Sequence, residues 1–420
     1  MKKNIIYISL IILFFSCKGA KTNQILTTKA LGNANFYNNQ FTGLLVIDPV
    51  TKDTLYNYNG SKYFTPASNT KIYTLYSALK VLPKNIPALT YIVQHDTLYA
   101  QGTGDPTLLH PYFKDLTSIH FLKKHKNIVF NFSNYKDSKY GPGWAWEDYD
   151  AYFSPERNAF PMYGNVLSIH RKNSLITNPS YFKDRVFYSN SNSRREPHNN
   201  IFYHKTVQKD TIEIPFITSA TTSKKLLENI LDQKINVTSK LPDGPKSTLY
   251  GIATDSVCKR MMHVSDNFLA EQLLIMSSGV LKDSLNFKST KNYILDTYLN
   301  DLKQQPRWVD ASGLSRYNLF TPKSIVRVLS KLYEEVPAKR LFTLFPKVIH
   351  SDSNKNKIEK PPYIYAKSGS LGNNYCLSGY LQTRSGKILI FSFMNNHFRV
   401  PSKEVKKQMH KILTEIRGAY

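Results

Sequence analysis

The feature that most constrains this chain is the segment at residues 66–82, which reads PASNTKIYTLYSALKVL. Proline can open a helix, and the apolar residues from Ile72 onward return to one face, so the pattern predicts a helix. Ser68 then lies in the first turn, and Lys71 lies one turn later on the same side. A nearby amine can take the serine proton, and N–H groups at a helix start can bind an oxyanion. We therefore interpret Ser68 as an acylating nucleophile and Lys71 as its base.

The spacing of these two residues is weak support when it stands alone. The same pattern occurs at three places to which we assign no chemistry: Ser133 with Lys136, Ser180 with Lys183, and Ser256 with Lys259. Because serine and lysine are common on surfaces, an isolated pair of this kind is usually an exposed pair on a helix. Other motifs in the chain are needed to distinguish a catalytic pair from an exposed surface pair.

The composition indicates a globular chain with room for two or three domains. Of its 420 residues, 41% are hydrophobic and 20% are charged. The formal net charge of +26 favours an anionic setting, such as nucleic acid, a membrane surface or a wall polymer. No nucleic-acid motif accompanies the dispersed basic residues, so we expect no nucleic-acid partner and favour a membrane or envelope setting. A generally basic surface explains the charge equally well.

The N-terminus predicts export and lipid attachment. Two lysines precede an apolar run that is too short for a comfortable membrane span and is typical of a signal peptide. A serine followed by Cys17 resembles a bacterial lipobox, which implies a signal peptide at residues 1–16, a lipid on Cys17 and a tether at residues 17–34. The alternative is an ordinary signal peptide with an incidental cysteine. In a Gram-negative host, Lys18 favours the outer membrane.

Apart from Cys17, the candidate residues for a disulfide or a metal site are two cysteines and the histidines. Cys258 lies in an apparent helix and Cys376 in an apparent strand, so we expect two buried thiols, although an exported chain permits a disulfide between them. The eleven histidines have no familiar ligand spacing with Cys, Asp or Glu. We therefore expect neither a metal nor an organic cofactor.

The order of helical and strand-like patterns predicts an α+β fold with an insert. Strand-like runs occur at 41–47, 53–58, 364–370, 376–383 and 387–395, and helical patterns at 223–235, 257–279, 322–335 and 402–417. Short β-type runs dominate residues 83–244. We expect residues 35–82 and 245–420 to form one catalytic domain, from which residues 83–244 emerge as a β-rich insert.

Three short motifs follow one another in the chain: Ser68-Asn69-Thr70-Lys71, Ser265-Asp266-Asn267 and Lys367-Ser368-Gly369. The first two fit the transfer of an acyl group from an amide. Ser265 can relay a proton between Lys71 and the leaving nitrogen. Asn267 can hold a substrate amide, because its side chain offers both a donor and an acceptor.

The third motif fits the binding of substrate. Lys367 brings a positive charge that can bind a substrate carboxylate, and its field disfavours a second charge on Lys71. Gly369 lets a substrate backbone lie close to the strand. The N–H group of Ser370 can complete an oxyanion hole with that of Ser68.

Together these motifs resemble the SxxK, SDN and KTG set of penicillin-binding proteins and serine β-lactamases. The long separation of Ser68 from Ser265 resembles the D-alanyl-D-alanine carboxypeptidase/endopeptidase family, the type-four penicillin-binding proteins, which carry an insert at this point. Further likeness lies at residues 102–107, 143–169, 265–271 and 310–322. The resemblance implies a transpeptidase/β-lactamase-like domain, in which an antiparallel sheet lies between helical layers and the Ser68 helix is central.

Some positions depart from the family pattern. Ser368 stands where the family usually has threonine, and the hydroxyl is retained. Ala311 stands where glycine is common, with little consequence. The insert is shorter than in the longest members, so a third nested domain is reduced or missing. We assign no catalytic role to Asp266 and Glu271, which are compatible with solvated helix residues.

The resemblance implies a serine peptidase that cleaves peptidoglycan stem peptides at D-Ala-D-Ala through an acyl-enzyme on Ser68. Penicillins should acylate the same serine. We expect the chain in the bacterial envelope, facing the periplasm and anchored through Cys17. One alternative is a β-lactamase or esterase of the same superfamily, for which we identify no additional deacylating base. The other is a catalytically idle wall-binding lipoprotein.

Overall fold

The structure, a computed structural model, describes residues 36–37, 39–171, 174–190, 192–205, 211–348 and 362–420. The predicted signal peptide, the tether and the lipidation site at Cys17 lie outside these residues. No helix in the described ranges is both long enough and apolar enough to cross a membrane.

Fifteen strands and nine α-helices build the described chain. The strands are β1 (Phe41–Ile47), β2 (Thr54–Tyr58), β3 (Asn85–Gln94), β4 (Thr97–Gly102), β5 (Asn127–Asn131), β6 (Val166–Arg171), β7 (Leu175–Asn178), β8 (Val186–Tyr188), β9 (Phe202–His204), β10 (Ile212–Pro215), β11 (Asn236–Thr238), β12 (Ser247–Ala253), β13 (Ile364–Leu371), β14 (Asn374–Gln382) and β15 (Ile388–Asn396). The helices are α1 (Lys71–Val81), α2 (Thr117–Leu122), α3 (Ala220–Leu231), α4 (Thr254–Val264), α5 (Asn267–Lys282), α6 (Phe287–Thr297), α7 (Pro322–Glu335), α8 (Ala338–Leu344) and α9 (Ser402–Ala419).

The chain divides into two compact units. The first contains the residues up to Asn69 together with Leu302–Arg307 and Asn318–Tyr420. The second contains Thr70–Asp301 and Trp308–Tyr317.

The first unit is built on a five-stranded antiparallel sheet with the order β13-β14-β15-β1-β2. Helix α9 covers one face with the apolar stripe that its sequence predicts: Val405, Met409, Ile412, Leu413 and Ile416. Helix α7 packs on the other face, where the Tyr380 hydroxyl donates a hydrogen bond to the Leu329 carbonyl. Because helices cover both faces, β14 and β15 are buried along almost their whole length. The predicted sheet between helical layers is confirmed.

The second unit combines short strands with helices. Its larger sheet has the order β11-β5-β4-β3-β12, in which β5 pairs in parallel with both β11 and β4, and the remaining pairs are antiparallel. A three-stranded antiparallel sheet, β10-β6-β7, and a parallel pair, β8-β9, accompany it. Helix α1 packs on α4 and α5, and Lys71 to Ala78 are all buried. The β-rich character predicted for the insert is confirmed.

One prediction differs from the structure in a way that concerns the site. The helical pattern at residues 257–279 is two helices, α4 and α5, separated at Ser265 and Asp266. Ser265 has a left-handed backbone, with φ of 60°, and terminates α4. The Asp266 carboxylate then accepts a hydrogen bond from the Leu269 N–H group, which caps the start of α5. A helix therefore starts within the second motif, at Asn267.

The two cysteines behave as expected, and the GTGDPT segment at residues 102–107 forms a turn. Cys258 and Cys376 are both buried, and neither is part of a disulfide. The chain turns directly after β4, where Gly104 has a φ of 81° that favours glycine. The Asp105 carboxylate holds this turn by accepting hydrogen bonds from the N–H and hydroxyl groups of Thr107.

Candidate active site

The candidate nucleophile lies in a tight turn of the first unit. Residues Ala67–Thr70 form a 3-10 turn that directly precedes α1. The prediction that Ser68 lies in the first turn of the α-helix is therefore wrong. Ala67 has a φ of 47°, a left-handed conformation that costs a non-glycine residue about 1–3 kcal/mol. Ser68 is half-buried. A strained residue therefore sets the position of the serine that follows it.

Strand β13 lies directly against this turn, and Gly369 makes the approach feasible. A Cβ atom at position 369 would lie 2.5 Å from the Pro66 carbonyl oxygen and 2.9 Å from the Ser68 nitrogen. The Asn69 side-chain amide donates a 2.8 Å hydrogen bond to the Lys367 carbonyl. The first and third motifs are therefore held together by close backbone packing at Gly369 and by a hydrogen bond from the Asn69 side chain to the Lys367 backbone.

We predict that Gly369→Ala displaces the Ser68 turn, because the new methyl group meets backbone atoms that cannot rotate away. The expected loss is about 1–3 kcal/mol of folding free energy, together with slower acylation by penicillin. Thermal melting and the labelling rate with fluorescent penicillin measure both effects. Gly418→Ala is the matched control, because its Cβ would have only one neighbour, at 4.0 Å. An unchanged melting temperature and labelling rate in Gly369→Ala would contradict this packing.

The side chains of the third motif alternate along β13. Lys367 is 1% exposed, and its ammonium group donates a 2.7 Å hydrogen bond to the Ser368 carbonyl. Ser368 and Ser370 lie on the opposite face and are exposed. Lys367, the residue expected to bind a substrate carboxylate, is therefore buried.

The candidate base lies at the start of α1 in the second unit. Lys71 is fully buried, and its ammonium nitrogen donates hydrogen bonds of 2.7 Å to the Asn267 side-chain oxygen and the Ser312 carbonyl oxygen. The Asn267 amide nitrogen donates a 3.0 Å hydrogen bond to the Phe153 carbonyl. Because an amide offers two donors and two acceptor lone pairs, Asn267 retains capacity for a further partner. Ser265 lies two residues earlier, at the end of α4.

Burial sets the protonation state of this lysine. It lowers the pKa of Lys71 from 10.5 to about 8, while the charges of Asp310, Asp266 and Glu271 act in the opposite direction. Near neutral pH, a lysine with a pKa near 8 has a much larger neutral fraction than an exposed lysine, and only the neutral amine can accept a proton.

This pKa leads to a prediction for pH dependence. A lowered pKa means that the neutral amine predominates above about pH 8. If Lys71 accepts the serine proton, the acylation rate constant will rise with pH and reach half of its maximum near pH 8. Stopped-time labelling with fluorescent penicillin across this range measures the profile. A flat profile, or a midpoint near 10.5, would contradict a buried lysine base.

The loop that receives this lysine lies in the family-like segment 310–322, but its role toward Lys71 was not predicted, because a backbone carbonyl such as that of Ser312 has no sequence signature. The interpretation of Glu271 as a solvated residue is wrong: Glu271 is 1% exposed, since its carboxylate contacts the buried Arg157 and the N–H groups of the Ser312 loop. Asp266 is partly exposed and serves as a helix cap. In the described part of the chain, no group of three or more His, Cys, Asp or Glu side chains is arranged to hold a metal ion.

Comparison with known proteins identifies the family. The model of the D-Ala-D-Ala carboxypeptidase 3 (S13) family matches residues 28–214 and 254–416. The chain belongs to this family. Membership places it among the serine-type carboxypeptidases, which are hydrolases, and confirms the resemblance inferred from the three motifs.

Relatives of this S13 protein support the assignment. The D-alanyl-D-alanine carboxypeptidase DacB of Haemophilus influenzae is 24% identical over 397 residues, covering 81% of this chain and 82% of the relative. The crystal structure of penicillin binding protein 4 from the same organism has a TM-score of 0.68 at 21% identity and covers 90% of this chain and 94% of its own. A second structure of that protein, in complex with a β-lactam, has a TM-score of 0.63 at 20% identity. It covers 93% of this chain and 98% of its own. These likenesses confirm the predicted fold class.

Proposed function

We propose that this S13 protein cleaves peptidoglycan stem peptides at D-Ala-D-Ala, as a carboxypeptidase and an endopeptidase, through an acyl-enzyme. Ser68 attacks the carbonyl of the penultimate D-alanine or of a D-amino-acid cross-link, and Lys71 accepts its proton. Ser265 relays a proton to the leaving nitrogen. Water then hydrolyses the ester on Ser68.

We propose that the remaining motif residues bind the substrate. Asn267 binds a substrate amide through its remaining donor and acceptor, and Lys367 attracts the terminal carboxylate. The backbone at Gly369 lies along the peptide, and the Ser370 N–H group stabilises the oxyanion together with that of Ser68. The exposed hydroxyl of Ser368 takes the place of the usual threonine.

One observation carries this proposal. Lys71 follows Ser68 by three residues, is fully buried with a pKa lowered to about 8, and donates a hydrogen bond to Asn267 of the second motif. An exposed surface pair would have neither the burial nor the side-chain partner. The β-lactam complex of the Haemophilus influenzae relative supports the further proposal that penicillins acylate Ser68.

A turnover experiment distinguishes this function from its alternatives. The chain, purified in detergent, is incubated separately with a stem pentapeptide ending in D-Ala-D-Ala, a cross-linked peptide dimer, and penicillin. We expect D-alanine release or dimer cleavage, and a penicillin adduct that persists. Repeated consumption of penicillin without peptide cleavage would instead identify a β-lactamase. An absence of all three reactions would identify an idle wall-binding protein.

The proposed setting is the bacterial envelope. We propose that a lipid on Cys17 anchors the chain, with residues 17–34 as a tether and the catalytic part facing the periplasm, on the outer membrane in a Gram-negative host. We retain residues 83–244 as an insert into a catalytic domain formed by residues 35–82 and 245–420. Palmitate labelling of cells that carry the parent chain or a Cys17→Ala variant tests the anchor.

A further inference from the structure

A buried carboxylate holds the loop that receives the candidate base. Glu271 lies on α5, one turn after Asn267, and is 1% exposed. Its Oε1 atom accepts hydrogen bonds from the N–H groups of Ala311, at 3.1 Å, and of Ser312, at 2.8 Å. Burial raises the pKa of Glu271 to about 7, so the carboxylate is predominantly ionised above neutral pH, where its two hydrogen bonds fix these consecutive residues more firmly than neutral partners would.

The same loop residue accepts the hydrogen bond from Lys71. The Ser312 carbonyl oxygen lies 2.7 Å from the Lys71 nitrogen. On the other side of that peptide group, the Gly313 N–H donates a 2.8 Å hydrogen bond to the Asp310 carboxylate. The carboxylates of Glu271 and Asp310 therefore restrain Ser312 from its two sides. The Ser312 carbonyl that accepts from Lys71 cannot rotate without breaking hydrogen bonds to these carboxylates.

Glu271 is itself held by a buried cation. Arg157 is 1% exposed, and its Nη1 atom lies 3.3 Å from Glu271 Oε2. The same guanidinium donates hydrogen bonds to the carbonyl groups of Ser138 and Tyr140. Burial of an isolated carboxylate is costly, and the arginine offsets part of this cost by pairing with it, which acts against the rise in the pKa of Glu271 that burial causes. The charges of Glu271 and its acidic neighbours raise the pKa of Arg157 despite its burial.

We propose that Glu271 is a positioning residue for Lys71, which acts by fixing the Ser312 carbonyl, and that Arg157 holds Glu271 in place. This inference rests on the proposed role of Lys71 as the base. Glu271 thereby affects the base in two ways. It sets the position of the Lys71 amine through the loop, and its negative charge favours the protonated amine.

These two effects distinguish positioning from a merely structural role. The charged groups that face Lys71 are the carboxylates of Asp310, Asp266 and Glu271, all of which favour its protonated form. Glu271→Gln removes one of these charges and weakens the support of Ser312. The acylation rate should therefore fall, and its rise with pH should move to lower pH. A general loss of stability would not move that midpoint.

The experiment measures acylation by fluorescent penicillin as a function of pH, using the full chain purified in detergent. We expect Glu271→Gln to lower the maximal rate constant by about 10- to 100-fold, because small displacements of a catalytic group have effects of this size. The matched control is Gln272→Met. Gln272 is the next residue of α5, is also fully buried, and donates to the Gly104 and Asn158 carbonyls instead of the Ser312 loop. We expect this control to lose stability and to keep the parent's rate and midpoint.

A second variant covers the case in which Glu271→Gln leaves Arg157 unpaired and does not fold. Glu271→Gln/Arg157→Met removes both buried charges, so that neither remains uncompensated, and the same two changes are expected. A parental rate, or a reduced rate with the parental midpoint, would overturn the positioning role. If Lys71→Met itself were acylated like the parent, the proposed role of the base would fail as well, which separates the two hypotheses.

Discussion

A Ser68→Ala variant will release no measurable D-alanine from a stem pentapeptide, a loss of at least about a thousandfold, because the proposed acyl-enzyme forms on the Ser68 hydroxyl, which alanine lacks. Ser68 is half-buried in a short turn, and alanine fits the same backbone, so the fold should persist. D-Alanine release, measured with an oxidase-coupled assay, gives the activity. Thermal melting shows whether the variant is folded.

The matched control is Ser256→Ala. Ser256 precedes Lys259 with the same spacing as Ser68 and Lys71, but it is exposed on α4 and we assign it no chemistry. We expect full activity in this control. If Ser68→Ala kept the parent's activity, or if Ser256→Ala lost it, the assignment of the nucleophile would be wrong.

Lys71→Met will reduce acylation by about 10²- to 10⁴-fold, the usual contribution of a positioned general base. Methionine has a similar length and suits a site that is fully buried, so packing should be largely preserved. The hydrogen bonds to Asn267 and Ser312 are lost with the amine. The labelling rate with fluorescent penicillin, together with the melting temperature, separates the loss of the base from a loss of fold.

The exposed Lys259 of the second SxxK pattern provides the control for this variant as well. Lys259→Met should label at the parent's rate. A folded Lys71→Met protein that labels as fast as the parent would show that another group removes the serine proton.

Helices with a capping residue or a regular apolar period could be predicted from the local sequence. Helix α7 begins at Pro322 and ends at Glu335 as expected, because Thr321 caps it and proline occupies its first turn. The apolar stripe of α9 also lies where its period placed it. The β1–β2 hairpin follows from two strand-like runs joined by a turn.

Features that depend on distant residues could not be read from the sequence. The burial of Glu271 depends on Arg157, 114 residues earlier, and on Ser312, 41 residues later. A glutamate on a helix is most often solvated, so its local context favoured the wrong interpretation. The backbone acceptor for Lys71 has no side-chain signature.

The conformation of the nucleophile turn was also beyond local reasoning. The sequence predicts a regular helix start after Pro66, whereas the chain forms a 3-10 turn with a strained Ala67. Contact with Gly369, on a strand about three hundred residues later, accompanies this geometry. Such strain is stable only where the surrounding structure holds it.

The most direct test of the account is the mass of one tryptic peptide after treatment with penicillin. Cleavage after Lys62 and Lys71 yields residues 63–71, YFTPASNTK, which contain Ser68. We predict that this peptide gains the mass of one penicilloyl group and that fragmentation places the group on Ser68. A penicilloyl group on any other residue, or none anywhere in a folded protein, would contradict the central claim that Ser68 is the acylated nucleophile.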